Sequence, residues 1–291
     1  MKLALNGMTF SKTDDLKSIL NISKNFEIKH IELWVHNCDN NGETIQEYAY
    51  KGKDTTSAKR MLKEYGINVC CVAFGSGFDA DFAKKKDLFS QELVRTVEVA
   101  ADMECGIVNH YCDHVLRDSV IDFSLLEGYW GEAIKRAEEL GVVLALENEG
   151  LDITRTPENM LALIKHFDSD NFKTNFDATN YYQSSNEPFP YAYEVLKDHI
   201  VYVHIKNGCI YNPMYCLDKD WIGGRMCGAN EGEDIYYLEA EDGVVNNDGL
   251  IKRLASDGYD GYVTLEPHTS RENAMRCIKH EVAYLNEKGI F

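Results

Sequence analysis

The sequence predicts an α/β fold in which eight parallel strands and eight helices form one closed (β/α)8 barrel. Eight short apolar segments alternate along the chain with segments of helical periodicity. The length of 291 residues suits such a barrel, which often exceeds about 250 residues as one domain. No linker or change in composition divides the chain, so we expect residues 1–291 to form a single domain. An open, doubly wound sheet is the alternative, because alternation alone does not prove closure.

The strand predictions rest on apolar runs that are rich in residues favouring extended structure. In chain order they cover residues 2–9, 29–35, 67–74, 106–111, 142–147, 172–177, 200–205 and 261–266. Each run is followed by a segment long enough to return the chain to a parallel neighbour.

The helix predictions rest on apolar periodicity and on signals at the helix ends. They cover residues 14–23, 57–65, 88–103, 125–140, 157–166, 191–196, 250–255 and 272–285. Thr156 precedes Pro157 as an N-cap before a proline at the first helical position. Gly66, Gly141 and Gly258 are each expected to end a helix before the next strand.

Charge and cysteine usage exclude several classes of partner and compartment. The net charge of −18 repels phosphate backbones, so we do not expect nucleic acid as a partner. The N-terminal sequence MKLALNGMTF turns polar too soon for a signal peptide, and no run has transmembrane length, so we expect no membrane association. Nine cysteines without CxxC pairs indicate reduced thiols and a cytoplasmic location.

Four polar side chains stand at the C-terminal tips of the last four predicted strands. They are Glu147 in VVLALEN, Asp177 in FKTNFDATN, His204 in IVYVHIKN and Glu266 in GYVTLEPH. A strand core is a costly place for an unpaired charge, and the C-terminal strand ends of a barrel form its active-site face. Three carboxylates and an imidazole that converge there predict one divalent-metal site. The alternative is that each residue is satisfied separately by hydrogen bonds at its own strand end.

The segments VVLALENEG, TNFDATN, YVHIKNG and GYDGYVTLEPH resemble the xylose-isomerase-like superfamily of TIM barrels. This superfamily includes ketose 3-epimerases, hydroxypyruvate isomerases, inosose dehydratases and DNA-repair endonucleases. The resemblance implies that Glu147, Asp177, His204 and Glu266 hold one divalent ion, most often Mn²⁺, with Mg²⁺, Co²⁺ and Zn²⁺ as alternatives. It also implies that Glu147 and Glu266 exchange protons with the substrate.

Some positions depart from the pattern of the epimerases. Asn180 stands where they usually carry a histidine, Glu149 replaces another histidine, Asn207 replaces an aspartate, and Ile210 replaces an arginine. The implied ligand set is thus intact, while the side chains expected around the substrate differ. The additional histidines of the repair endonucleases are absent, so we do not expect that activity.

The predicted function is that of a divalent-metal-dependent isomerase or epimerase of a keto-sugar or related polyol. A metal that binds the carbonyl and hydroxyl oxygens acidifies the adjacent C–H bond and stabilises the enediolate. One glutamate can then remove the proton and the other can return it, with Glu147 and Glu266 as the acid/base pair. The alternatives are a lyase or dehydratase of the same superfamily, acting on a keto-sugar or keto-glycoside by β-elimination, and a non-catalytic sugar-binding barrel.

Six further side chains are predicted to contact the sugar. They are Trp34, His110, Asn180, Lys206, Arg225 and His268. Trp34 is about as well explained as a core residue, and His110 as a hydrogen-bonded residue at a strand end. For Lys206 a contact with a substrate oxygen is favoured over an ion pair with a neighbouring glutamate.

A long insertion is predicted after strand seven, at about residues 208–247. It is rich in aromatic side chains and contains Gly223–Gly224 as a candidate hinge. Such a segment is too aromatic for disorder, and long loops of this kind are usually functional. The sequence leaves open whether it is a lid over the sugar or a subunit contact in a homo-oligomer.

Overall fold

The computed structural model describes residues 1–10, 14–33, 55–74, 84–112, 119–210, 225–227 and 234–289. The strands are β1 (Lys2–Asn6), β2 (His30–Leu33), β3 (Asn68–Phe74), β4 (Ile107–His110), β5 (Val143–Glu147), β6 (Phe172–Asp177), β7 (Ile200–Ile205), β8 (Asn207–Ile210), β9 (Arg225–Cys227), β10 (Asp234–Leu238) and β11 (Tyr262–Leu265). The helices are α1 (Leu16–Asn25), α2 (Thr56–Tyr65), α3 (Lys86–Asp102), α4 (Phe123–Leu140), α5 (Pro157–Phe167), α6 (Ala178–Gln183), α7 (Tyr193–Leu196), α8 (Asn247–Ser256) and α9 (Arg271–Glu287).

Eight of these strands form a closed parallel barrel, in the order β1-β11-β7-β6-β5-β4-β3-β2 and back to β1. Each barrel strand pairs in parallel with the next strand around the ring, as in the register of Asp177 with His204 between β6 and β7. The predicted (β/α)8 barrel is therefore confirmed, and the open doubly wound sheet is excluded.

The predicted strands and helices lie close to the observed ones. Strands β6 and β7 have the predicted bounds, and most other ends differ by one to three residues. The largest difference is around β6, where the short helix α6 begins directly after Asp177 and was not predicted. The predicted helix at 191–196 corresponds to α7, which begins at Tyr193. It follows a kinked turn at Pro188–Ala192 in which Phe189 is extended, with φ of −145° and ψ of 128°.

The predicted helix ends at Thr156, Gly66 and Gly141 are confirmed, whereas α8 has Asp257 as its C-cap and Gly258 follows with φ of 81°. The hydroxyl of Thr156 accepts a hydrogen bond from the Asn159 backbone N–H, and Pro157 occupies the first turn of α5. Gly66 and Gly141 end α2 and α4 in the left-handed region, each with φ of 67°.

The core has a large outer layer and a small inner one. The outer layer packs the helices onto the barrel and includes the fully buried Trp130 of α4 and Phe172 of β6. The inner cluster consists of Ala4, Cys70, Cys71, Ala145 and Tyr202. Small side chains and one tyrosine thus fill the barrel below the polar residues at its C-terminal end.

The segment after β7 forms a second, antiparallel sheet in the order β8-β10-β9, where residues 208–247 were predicted to form an insertion. Asn207 pairs with Leu238, and Arg225 pairs with Tyr236. The Asn207 amide donates hydrogen bonds to the carbonyls of Ala240 and Val245, at 2.8 and 2.9 Å. These bonds hold the start of β8 against the backbone that follows β10. Residues 211–224 and 228–233, with most of the aromatic side chains of the predicted lid or interface, lie outside the described residues.

In the described part of the chain, we find no helix with the length and apolar character needed to cross a membrane.

Candidate metal centre and active site

The four predicted ligands converge at the C-terminal end of the barrel. Glu147 and Asp177 are the last residues of β5 and β6, His204 lies in β7, and Glu266 follows β11. None is more than 2% exposed. Each offers one ligand atom, and the four atoms all lie within 4.8 Å of one another.

The ring of His204 is held between carboxylates on both of its nitrogen atoms. Nδ1 lies 3.2 Å from Glu147 Oε1 and 3.4 Å from Glu266 Oε2, whereas Nε2 lies 2.7 Å from Glu32 Oε2. Burial lowers the pKa of the ring, but Glu147, Glu266 and Glu32 outweigh it and hold the pKa well above 6.5. His204 therefore lies in a strongly negative environment.

The ammonium group of Lys206 bridges two of the four ligands. Nζ lies 2.8 Å from Glu266 Oε2 and 2.9 Å from Asp177 Oδ2. The contact with Glu266 is a hydrogen bond, but the contact with Asp177 is an ion pair without hydrogen-bond alignment, and no donor within the described ranges is directed at that oxygen. This oxygen of Asp177 thus has the Lys206 ammonium as its ion-pair partner and could serve a divalent cation that displaces it.

The second oxygen of Asp177 has a structural task. Oδ1 accepts a hydrogen bond of 2.9 Å from the Asn180 backbone N–H and so caps helix α6. The side chain of Asn148 holds the Asp177 backbone in place by bonding both its N–H and its carbonyl, at 2.9 and 2.8 Å. The strand-to-helix junction therefore fixes the direction of the Asp177 carboxylate.

Four asparagine side chains donate hydrogen bonds to the two glutamates. The donors are Asn109 at 2.7 Å, Asn175 at 3.1 Å and Asn180 at 3.3 Å to Glu147, and Asn6 at 3.0 Å to Glu266. Of these four asparagines, only Asn180 was predicted to lie at the site. The other three could have been found from the sequence, because each is a single asparagine near the C-terminal end of an apolar strand: Asn6 in LALN, Asn109 in IVNH and Asn175 in TNFD. These amides stabilise the ionised carboxylates in a buried site.

The charges of the cluster are shifted by burial and by one another. Burial and the nearby Glu147 and Glu266 raise the pKa of Asp177 above 3.8, although Lys206 opposes them. For Glu266, burial alone would raise the pKa, but Lys206 and then His204 hold it well below 4.5. Burial lowers the pKa of Lys206, yet Asp177 and Glu266 raise it well above 10.5. Glu266 is therefore ionised and Lys206 is charged at neutral pH.

The arrangement fits a divalent cation by the chemistry of its donors. Three buried carboxylates repel one another, and the Lys206 ammonium contacts only two of them. Asp177 Oδ2 has no directed donor among the described residues. Oxygen ligands with one imidazole nitrogen suit Mn²⁺, Mg²⁺, Co²⁺ or Zn²⁺. The cluster could thus hold a metal ion.

Comparison with known proteins assigns the family. The model of the xylose isomerase-like TIM barrel family matches residues 20–288. The chain belongs to this family. An uncharacterized protein of Methanocaldococcus jannaschii is 24% identical over 163 residues, which are 54% of this chain and 48% of that protein. The chain therefore covers about half the length of this curated relative.

Solved structures similar to this xylose isomerase-like barrel share its fold at low identity. The probable 3-DHS dehydratase AsbF of Bacillus anthracis is 19% identical, with a TM-score of 0.68 over 98% of this chain and 99% of that one. The 3-keto-D-glucoside 4-epimerase YcjR of E. coli is 15% identical, with a TM-score of 0.69 over 99% of both chains. A Mycobacterium smegmatis protein in complex with magnesium is 18% identical, with a TM-score of 0.67 over 93% of this chain and 87% of that one.

His268 is a predicted sugar contact that the structure brings to the centre of this barrel. Its Nε2 lies 3.4 Å from Glu266 Oε2 and 3.5 Å from Lys206 Nζ. Its ring packs on Tyr237 of β10, with 4.7 Å between the ring centroids. Tyr237 accepts a hydrogen bond of 2.6 Å from Gln183, so the second sheet forms one wall of the site.

His110 is a predicted sugar contact that the structure does not bring to the cluster. Its ring packs against Trp130 and Phe172, with centroids 5.6 and 5.8 Å away, in the layer between barrel and helices. Successive residues of a strand face opposite sides of the sheet. Because the neighbouring Asn109 points into the barrel and donates to Glu147, His110 points outward.

The two remaining predicted sugar contacts are described partly or not at all. Trp34 lies outside the described residues, and for Arg225 only the backbone pairing in β9 is described.

Proposed function

We propose that this protein is a divalent-metal-dependent isomerase or epimerase that acts on a keto-sugar or a related polyol. The observation that carries the proposal is the convergence of three buried carboxylates and one imidazole within 4.8 Å at the C-terminal end of the barrel. That end is where enzymes of this fold place their active sites.

The residues that would hold the ion are Glu147, Asp177, His204 and Glu266. When bound, the ion would supply positive charge that polarises a substrate carbonyl and acidifies the adjacent C–H bond. Mn²⁺ is the ion that we predict, with Mg²⁺, Co²⁺ or Zn²⁺ as alternatives. The magnesium complex of the M. smegmatis barrel supports a divalent ion in this fold without selecting among them.

Glu147 and Glu266 are the proposed acid/base pair. They lie on β5 and after β11, and β6 and β7 separate these strands in the barrel. A substrate between them would present a different face to each carboxylate. The Asn109 amide orients Glu147 and the Asn6 amide orients Glu266 by hydrogen bonds. In the proposed reaction one of the two groups enters as the carboxylate and removes a proton, while the other enters as the carboxylic acid and returns one.

The sugar would be oriented by polar side chains around the same end of the barrel. Lys206 and His268 offer donors beside Glu266, and the Asn180 amide lies beside Glu147. Trp34 and Arg225 are predicted to contact the sugar from their positions in the sequence alone.

A lyase or dehydratase that acts by β-elimination on a keto-sugar or keto-glycoside is the second candidate. The observation that favours it is Glu149, a half-buried carboxyl group that interacts electrostatically with Glu147, where the epimerases usually have a histidine. An additional carboxyl group beside the substrate could protonate a leaving group. The probable 3-DHS dehydratase of B. anthracis shares this fold and supports this candidate only to that extent.

The test is a screen of keto-sugars with the Mn²⁺-loaded protein in D₂O, followed by NMR. We expect deuterium to enter a carbon next to the carbonyl, with an isomer as the product. Loss of water or of an aglycone would indicate the lyase. No exchange with any keto-sugar, with metal bound, would indicate the sugar-binding barrel and contradict the proposal. The Asp177→Asn variant is the control, because it keeps both glutamates but loses one ligand.

A further inference from the structure

A fourth buried carboxylate, Glu32, lies outside the ligand set but contacts one of its members. Glu32 belongs to β2 and is 0% exposed. Its Oε2 atom lies 2.7 Å from His204 Nε2, the ring nitrogen that faces away from Glu147 and Glu266. Since β1 and β11 separate β2 from β7 in the sheet, the contact crosses the barrel interior.

The Glu32 carboxylate is held in place by a hydrogen bond from Tyr202. The hydroxyl of Tyr202 donates a hydrogen bond of 3.0 Å to the same Oε2 atom. Tyr202 in turn accepts one of 2.6 Å from the hydroxyl of Thr264. All three residues are fully buried. This chain of hydrogen bonds gives the Glu32 carboxylate one direction, towards the ring of His204.

The contact decides which nitrogen of His204 is available as a ligand. A neutral imidazole carries one N–H donor and one lone pair. A ligating histidine is neutral, so metal binding removes one proton from the ring. If Nε2 keeps its proton and donates it to Glu32, the lone pair is on Nδ1, which lies 3.2 Å from Glu147 Oε1 and 3.4 Å from Glu266 Oε2. Carboxylates that accept from the second nitrogen of a ligating histidine fix its ring and raise its basicity.

We propose that Glu32 is a positioning residue, which orients the His204 ring so that Nδ1 binds the metal ion of the site. The proposal rests on the proposed metal binding. Glu32 is not a fifth ligand, because it contacts the far side of the His204 ring. Its role requires neither substrate contact nor proton transfer.

The experiment measures metal binding by wild type and Glu32→Gln. Co²⁺ titration followed by visible absorption gives the affinity, and the ¹⁵N shifts of the His204 ring in the Zn²⁺-loaded protein show which nitrogen binds. We expect Glu32→Gln to bind Co²⁺ about 10- to 100-fold more weakly, with a changed Co²⁺ spectrum and partial loss of the Nδ1-bound form. Glu281→Gln is the matched control, because Glu281 is also a buried glutamate, 1% exposed, but lies in α9 outside the ligand set.

Each result decides the proposal. A loss of Co²⁺ affinity smaller than about tenfold in Glu32→Gln, or Nδ1 bound to the same extent in both proteins, would overturn the positioning role while leaving the proposed metal site intact. Failure of wild type to bind Co²⁺ and Zn²⁺ would overturn both. If Glu32→Gln does not fold, Tyr202→Phe provides the test, because it removes the hydroxyl that donates to Glu32 and keeps the ring that packs edge-on against His204. A loss of more than threefold then supports the role, and a smaller change overturns it.

Discussion

Lys206 and Glu266 form an ion pair inside the barrel, with 2.8 Å between Nζ and Oε2 and with side chains that are only 4% and 3% exposed. The same ammonium group lies 2.9 Å from Asp177 Oδ2. It therefore contacts one oxygen of each of two carboxylates in the ligand set. A positive side chain at this place compensates the cluster and competes with a divalent ion for the same oxygens.

The first prediction concerns this competition. Lys206→Met should lower the free energy of unfolding of the metal-free protein by about 3–5 kcal/mol, because it leaves buried carboxylates without their cation. Added Mn²⁺ should restore the loss, and Mn²⁺ affinity should rise. Urea denaturation in EDTA and in Mn²⁺ measures both effects.

The matched control is Lys252→Met. Lys252 is 62% exposed and pairs with Asp248 on the surface of α8, so we expect a loss below about 1 kcal/mol, independent of metal. Weaker Mn²⁺ binding by Lys206→Met than by wild type would contradict the competition.

The second prediction concerns proton transfer. With metal in excess, Glu147→Gln and Glu266→Gln should each lose most turnover, while at least one keeps slow C–H exchange, because the other carboxylate still serves its own face. Deuterium incorporation and product formation are measured together, with the metal content of each variant. Near-wild-type rates in both variants with metal bound would refute the acid/base pair.

The third prediction concerns the attachment of the second sheet. A Cβ atom at Gly243 would lie 2.6 Å from the Gly208 backbone N and closer still to Asn207 Oδ1. The Asn207 side chain makes four hydrogen bonds to the surrounding backbone and cannot move aside freely. Gly243→Ala should therefore cost about 1–3 kcal/mol in thermal or chemical unfolding.

Gly131→Ala is the control for that substitution. Gly131 lies within α4 and has nothing within 4 Å of an added Cβ, so the change should stabilise the protein by about 0.5–1 kcal/mol. Equal effects of the two substitutions would show that the close approach at Gly243 is not structurally important.

The fourth prediction concerns pH and Glu281. Burial raises the pKa of this carboxyl group from 4.5 to about 8. Between these values the unfolded chain releases the proton while the folded protein keeps it. Stability should thus fall as pH rises from about 4.5 to about 8, by about 1.4 kcal/mol per unit. Glu281→Gln removes this fall, so its advantage over wild type should grow across the window.

Denaturation of both proteins at several pH values measures that advantage. The exposed Glu287 of the same helix provides the control, since Glu287→Gln is the same substitution at a side chain that is not buried. A constant difference between Glu281→Gln and wild type across the window would refute the prediction.

The features that local sequence determines could be predicted. Apolar runs with clear ends gave the correct bounds of β6 and β7, and a charged residue at the tip of such a run stands out against its neighbours. Asp177 and His204 were found in this way. Parallel strands bring their ends to one face, so strand-end position alone was enough to expect convergence.

The features that depend on long-range contacts could not be predicted. His110 was expected at the site, but the alternation of the strand turns Asn109 inward instead. Nothing in the sequence around Glu32 indicates that its partner is His204, on a strand across the barrel. Helix α6 is only six residues long, too short for periodicity, and depends on the cap from Asp177.

The most direct test of the metal site is the metal content of the purified protein after removal of metals and reconstitution with Mn²⁺. Elemental analysis of wild type should give about one divalent ion per chain, because four ligand atoms converge on one point. Asp177→Asn should hold substantially less under the same conditions. Less than about 0.1 ion per chain in the wild-type protein would contradict the account.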